Sequence, residues 1–501
     1  LEIVSFIIYF VILLGIAFIF YFNGTNKGED DFFLGGRSMG PWVTALSAQA
    51  SDMSAWLLMG LPGSILAFGF GQMWIGIGLA LGTAANWILT AKRLRCFSKA
   101  ADDAITIPQY LANRFKTSSN TLQVICAIIF LVCYTVYVAS AFVAGATVFS
   151  TLFPNIDVKL AMIIFVILIV LYTFVGGFKA VCWTDFFQGL LMMAALMAVP
   201  IVIAIACDSF DTSKLSEVIS YTDSNGELVN CEFGESILNA SIPDILSGLA
   251  WGLGYFGMPH ILVRFMSIEK PSMIKKSASV AIIWVVISLG CACLIAYFGR
   301  MLVGDSLLSE GAQSTVFIVL AREYFPMIIS GLLLAAIVAA SISTADSQLL
   351  VASSSFTSDI YKPIIKKNAS DKEVLLVGRM VVVIIAVIGY FIASSKGSGA
   401  QAIMNMVENA WGIFGSAFGP VVLLSLFWRR FNYVGACVGV IAGAAVDMIW
   451  LFCLPGTGIY ELFPGFVAGG VAAVIATLVT KAPSKEATDI FDKASSKEYD
   501  E

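Results

Sequence analysis

Long apolar runs, each closed by charged residues or by a Pro/Gly break, recur along the whole chain. They centre near residues 1–22, 44–68, 72–91, 122–152, 160–177, 185–206, 243–262, 277–299, 327–350, 374–394, 402–428, 434–453 and 462–480. About 20 apolar residues cross a bilayer as a helix, so these lengths suit spanning segments. None alternates strictly between apolar and polar positions, and only helices or closed barrels satisfy the backbone in lipid. The pattern therefore predicts an all-α polytopic membrane protein of about 13 transmembrane helices. The run that opens at Leu1 has no small-residue cleavage site behind it and reads as a first span rather than a signal peptide.

Two of the runs are interrupted. The second, ALSAQASDMSAWLLMGLPG, puts Asp52 at mid-membrane and ends in Gly60, Pro62 and Gly63. The seventh, SGLAWGLGYFGMPHI, holds Gly248, Gly252, Gly254, Gly257 and Pro259. Gly and Pro interruptions at corresponding places in two halves point to discontinuous helices in an inverted-repeat transporter. Five spans from the second and five from the seventh make a 5+5 core, and an odd count inverts the second copy. The competing reading is that these small residues serve only close helix packing.

Basic residues add orientation. Lys92/Arg93/Arg95/Lys99/Arg114/Lys116, Arg264/Lys270/Lys275/Lys276, Lys362/Lys366/Lys367/Lys372, Arg429/Arg430 and the segment from Lys481 fall on one side of thirteen spans. That side reads as the cytoplasm, with the N-terminus outside and the C-terminus inside. The longest loop, 207–242, lies opposite and sets Asp208, Asp211, Glu217, Asp223, Glu227, Glu232 and Glu235 against only Lys214.

Composition narrows the classes. The 501 residues are 59% hydrophobic and 13% charged, where soluble domains carry about 25% charge. A net charge of -5, with basic residues in short scattered clusters, excludes a nucleic-acid partner. Ten cysteines without a CxxC, and a single histidine, leave no zinc-type ligand set. No GxxxxGK[ST] loop supports an ATP-driven pump, and no nucleophile–base pair stands out, so an enzyme is not expected.

Five ordered blocks carry a resemblance over nearly the whole chain. They are FLGGRSMGPWVTALSAQASDMSAWLLMGLPG at 33–63, YTFVGGFKAVCWTDFFQG at 172–189, WGLGYFGMPHILVRFM at 251–266, ASISTADSQLLVASS at 340–354 and FGPVVLLSLFW at 418–428. Together they resemble the sodium:solute symporter family, most nearly its proline carriers. The resemblance implies a leucine-transporter-like inverted repeat with flanking helices, importing one small solute with Na+ by alternating access. It implies a plasma-membrane location, with the bilayer, sodium ion and L-proline as the chain's partners, and function as a monomer.

Sodium needs hard oxygen ligands, which unwound backbone and hydroxyls supply. On the ninth span Ala340, Ser343, Thr344 and Ser347 recur at i, i+3, i+4 and i+7 and share a helix face. Such hydroxyls also bond back to the i−4 carbonyl, and the residues alone leave both readings open. The resemblance implies a sodium ion between the backbone of Ala50 and Met53 and the ninth-span residues Ala340, Ser343 and Thr344. Asp52 is then expected to organise that site electrostatically, beside the alternative of a helix-capping Asp.

Trp251, Tyr255 and Pro259 follow i, i+4, i+8 and read as one stripe, and Pro259 removes the helical donor from the carbonyl near Tyr255. Packing alone would explain an aromatic stripe. The resemblance assigns all three to the solute site and adds Tyr137 and Ser54. It also suggests a coupling role for Arg37, otherwise a membrane-edge anchor. Glu408 departs from the proline-carrier pattern, where an uncharged residue is expected. Asp185, read as opening the sixth span, with Asp346 and Ser347, forms a possible second cation site or proton-sharing pair; otherwise Asp185 caps its helix and Asp346 reaches water. His260 is expected as a buried neutral ring. Cys207 and Cys231 are the two cysteines expected in the external loop, bridged or free.

The expected organisation is a first helix and cytoplasmic loop (1–40), a first repeat (41–206), an extracellular loop (207–242), a second repeat (243–430), two C-terminal helices (431–480) and a cytoplasmic tail (481–501). A sibling symporter for pantothenate, a sugar or sialic acid is the nearest alternative. A channel or a solute-sensing receptor is the rival from another class.

Overall fold

The second and seventh crossings are the ones that break. In a computed structural model that describes residues 1–22, 28–117, 119–222, 228–234, 236–309, 311–395 and 400–496, helix Pro41–Asp52 resumes only at Gly60–Phe68, and helix Ile242–Ala250 only at Pro259–Ser267. Among the described residues nine further helices are long and apolar enough to cross a bilayer: Phe70–Ala100, Thr121–Leu152, Gly176–Ala206, Pro271–Leu302, Met327–Ile365, Asp371–Ser395, Ile403–Phe427, Tyr433–Cys453 and Leu462–Val479. Shorter apolar helices Glu2–Ile16 and Val158–Phe174 are the first and fifth crossings. Large apolar side chains such as Val11, Leu81 and Phe391 stand exposed on the outer surface, where acyl chains would cover them.

Three boundaries differ from the hydropathy reading. The third helix runs on to Ala100 and the ninth to Ile365, because each continues, largely buried against polar protein neighbours, beyond the apolar window that reveals it. The sixth begins at Gly176 rather than near 185: Gly177, at φ 66°, is the joint with the fifth helix. Asp185 therefore neither opens nor caps its helix but lies inside it, buried.

The ninth helix packs against the first, the fourth and the joined fifth and sixth, at the centre of the bundle. The third and seventh meet through bare backbone: a Cβ on Gly82 would collide with Gly252, and one on Gly78 with the Gly248 carbonyl. The close-packing reading thus holds for Gly248 and Gly252, alongside the break that follows them.

Residues 207–242 contain an antiparallel hairpin, Ile219–Thr222 with Leu228–Cys231. It is pinned where the second crossing turns into the third, since Phe70 donates its amide to the Phe233 carbonyl (2.9 Å) and Gly69 (φ 79°) leaves room for that carbonyl. Arg300 donates to the carbonyls of Glu217 (2.5 Å) and Cys231 (3.2 Å), and Lys214 pairs with Asp305. Asp223, Glu227 and Glu235 lie outside the described residues.

Cys207 and Cys231 are both free thiols: Cys207 reaches the Tyr324 hydroxyl (3.4 Å), while Cys231 is buried at the hairpin's end. Denatured, unreduced protein should therefore react with maleimide at both positions. A gain of two labelled thiols only after reduction would contradict this.

At the opposite face a short helix, Lys485–Ala494, capped by Ser484, lies under the bundle. Arg114 donates to its Ala487 carbonyl (2.8 Å), and Arg429 grips Asp492 with two bonds of 2.8 and 2.7 Å. Arg114 is thus fully buried structural cement rather than a loop charge.

Candidate functional site

The break in the second crossing starts at the backbone. A continuous helix would give the Ser54 amide to the Ala50 carbonyl, but it turns to the carbonyl of Asp52 (3.0 Å) instead. The freed Ala50 oxygen faces the ninth helix, where it accepts from Ser343 (2.7 Å) and Thr344 (3.5 Å). Ser343 also reaches the Ala340 carbonyl (3.2 Å), so four of the five expected sodium ligands meet at one point. All are neutral oxygens, the donor set that suits an alkali ion. Met53, the fifth, lies within the break and lines the adjoining cavity.

Asp52 faces that cavity too. Buried, it accepts a 2.6 Å bond from the Tyr255 hydroxyl and thereby ties the two broken helices together. Proline 259 has no N–H to offer the Tyr255 carbonyl, which takes the Asn86 amide instead (3.0 Å). Residues 251–256 form a tighter turn than an α-helix, so Trp251, Tyr255 and Pro259 do not make one stripe. Trp251 and Tyr137 line the cavity, together with Trp56 and Trp411. Tyr255 stands behind, edge-on to Trp411 at 5.1 Å. Ser54 accepts the Trp56 amide (3.3 Å) and Pro259 starts the next helix, so both act on the backbone rather than as cavity wall.

The cavity is closed and holds about 10 Å³, near the lower limit for one water. Beyond Trp251, on the face of the 207–242 loop, opens a chamber of about 430 Å³. Trp251 walls both spaces and is held by the Trp411 indole, which donates to its carbonyl (2.8 Å), and by Tyr460, stacked at 5.2 Å. Glu408 lines the chamber, not the inner cavity.

The opposite face is latched. Arg37, at φ 50°, donates to Ser98 (3.1 Å) and to the carbonyls of Ala104 (2.9 Å) and Met266 (2.7 Å), joining the ends of the third and seventh helices. Arg95 adds bonds to the carbonyls of Ile268 (2.6 Å) and Glu269 (3.0 Å). Burial, with Arg95 nearby, lowers the Arg37 pKa to about 10, so it stays charged at neutral pH.

Asp185, Asp346 and Ser347 do come together, but around a residue first read as a loop cation. Arg264 is buried, and donates to Asp185 (2.9 Å), Ser347 (2.5 Å), Ser47 (2.8 Å) and the His260 carbonyl (2.5 Å). Ser347 in turn reaches Asp346 (3.3 Å), which is fully buried and does not meet water. One oxygen of each carboxylate has no partner. His260 is buried, its Nδ1 3.2 Å from the Tyr134 hydroxyl.

The description "sodium:solute symporter family" matches residues 32–443. The chain is 42% identical to sodium/proline symporter 2 of Staphylococcus saprophyticus, over 97% of this chain and 94% of that protein. It is 39% identical to the osmoregulated proline transporter of Bacillus subtilis (98% and 97%) and 40% identical to the sodium/proline symporter of Escherichia coli (98% and 95%). In fold it is similar to a substrate-bound, outward-open Na+-coupled sialic acid symporter, with a TM-score of 0.74 at 20% identity over 97% of this chain and 99% of that one.

Proposed function

The chain belongs to the sodium:solute symporter family, a membrane transporter with the inverted-repeat fold and not an enzyme, and from this premise we propose that it imports L-proline with Na+ across the cell membrane. The similarity of about 40% to proline symporters over nearly the full length supports the solute. The observation that carries the ion is the freed Ala50 carbonyl meeting the Ser343 and Thr344 hydroxyls. Residues 41–206 and 243–430 act as the two repeats, with the 207–242 loop outside and the N-terminus on that same side.

Ala50, Met53, Ala340, Ser343 and Thr344 would hold sodium, whose charge supplies attraction for Asp52 and for a solute carboxylate nearby. Asp52, bonded to Tyr255, communicates that occupancy to the seventh crossing. Trp251 and Tyr137 contact the solute, and Tyr255, Ser54 and Pro259 shape the backbone around it. Because the inner cavity is water-sized, solute enters only when Trp251 swings from its stack with Tyr460. Release to the other side requires the Arg37 latch to part, which gives Arg37 its role in coupling. Arg264 is the resident counter-ion of Asp185 and Asp346, and leaves at most one further positive charge for that cluster. The chain works as a monomer within the bilayer.

The energetics suffice. One Na+ crossing ~100 mV yields about 2.3 kcal/mol, and a tenfold gradient adds about 1.4 kcal/mol. Together these hold a neutral solute at roughly 500-fold accumulation.

Purified protein in proteoliposomes should accumulate labelled L-proline under an imposed inward sodium gradient and not under a potassium gradient. Trp251→Ala should abolish proline binding while sodium binding persists. Accumulation of pantothenate, a sugar or sialic acid in place of proline would reassign the solute; downhill flux indifferent to sodium would make the protein a channel.

A further inference from the structure

The third crossing holds a residue that the function above leaves without a role. Along Phe70–Ala100 the helix loosens over Asn86–Ala91 into the wider π turn, which re-aims the side chains it carries. Neighbouring residues on a regular helix point about 100° apart. Here Asn86 and Trp87 both reach the seventh crossing: Trp87 meets the Phe265 ring edge-on at 4.5 Å, and Asn86 Nδ2 donates to the Tyr255 carbonyl (3.0 Å). The approach is close because Gly82, one turn earlier, lies against Gly252 with no side chain between them.

Asn86 is 1% exposed, and its Oδ1 has no partner. A buried acceptor left unmet is costly, so the one bond that the amide does make explains the residue better than packing does. That bond fastens one end of Tyr255. The other end is fastened too, since the Tyr255 hydroxyl donates to Asp52 (2.6 Å). Tyr255 is thus a strut from the third crossing to the break in the second, and two residues before Asp52 the Ala50 carbonyl meets Ser343 and Thr344.

We propose that Asn86 is a positioning residue for the sodium site, which touches neither ion nor solute and sets the ion's affinity through Tyr255 and Asp52. Without its amide the Tyr255 carbonyl is left unpaired in a segment where Pro259 cannot serve it. Residues 251–256 then shift to find another donor, the hydroxyl leaves Asp52, and the site loses the electrostatic support that a fixed Asp52 gives. The proposal rests on the ion reading above and is independent of the choice of solute.

Binding of labelled sodium to the purified full-length protein would be measured at fixed ionic strength, beside thermal stability in detergent. Asn86→Leu fills nearly the same volume without a donor and should raise the sodium Kd roughly tenfold or more. Asn86→Ala removes the same donor with a smaller side chain and keeps the test open should the leucine variant fold poorly. Tyr255→Phe keeps the ring, drops only the hydroxyl, and should weaken sodium to a similar extent. Because both changes break one chain of contacts, their losses should not multiply, and the double variant should stay within about threefold of the weaker-binding single variant. An unchanged sodium Kd in a stably folded Asn86 variant, or losses that multiply in the double variant, overturns the proposal. A wild type that binds no sodium overturns it together with the ion reading. Sodium binding weakened as expected, in a protein that binds no proline, faults the choice of solute and supports the role of Asn86.

Discussion

Replacing Ser343 and Thr344 together by alanine is expected to raise the sodium concentration that half-activates uptake by roughly a hundredfold. Two oxygen contacts to a charge are lost, each worth about 1.5 kcal/mol or more. Their sum of ~3 kcal/mol is about two decades in affinity. The same change also strips the Ala50 carbonyl of its hydroxyl donors, and an unpaired buried carbonyl costs about 1–3 kcal/mol of stability. Thr344→Ser separates the two effects, since it keeps the oxygen and removes a methyl group, and should activate nearly as the wild type does. Sodium activation of proline uptake, read beside thermal stability in detergent, decides the matter. Normal activation in a stably folded double variant would remove these residues from the ion's coordination.

Arg264→Gln should destabilise the protein by about 3–5 kcal/mol, because it removes the counter-ion from a fully buried cluster of two carboxylates. Adding Asp185→Asn should recover a large part of that loss, leaving one acid and a neutral amide pair that still bond to each other. Unfolding of the single and double variants in detergent, arranged as a double-mutant cycle, gives the coupling directly. Additive losses would show that Arg264 acts through packing on Phe178, over which it lies at 5.5 Å, rather than through charge.

The crossings and the two breaks were legible because bilayer thickness and backbone hydrogen bonding act on composition and Gly/Pro placement, which a sequence displays openly. The oxygen face of the ninth helix was legible for the same reason, since spacing along a helix is periodic. Partners across helices were not. Asn86, which takes the orphan Tyr255 carbonyl, and Trp411, which holds the Trp251 carbonyl, sit in otherwise ordinary spans, and nothing local marks them. Arg264 misled for a physical reason. It follows an apolar stretch and precedes Lys270, as an edge cation does, while its real environment is set by Asp185, distant in the chain. The stripe of Trp251, Tyr255 and Pro259 assumed 3.6 residues per turn across a segment that winds more tightly.

The contact between the third and seventh crossings has a mechanical meaning. Where Gly78 and Gly82 face Gly248 and Gly252, two smooth rods touch without interlocking teeth. Because no side chain stands between Gly82 and Gly252, a small shift of one rod along the other there would re-sort no rotamers, which suits the joint to serve as a low-friction bearing. A single methyl group set into that contact, as in Gly82→Ala, would drive against the Gly252 backbone and is expected to slow proline uptake, read beside the variant's stability in detergent.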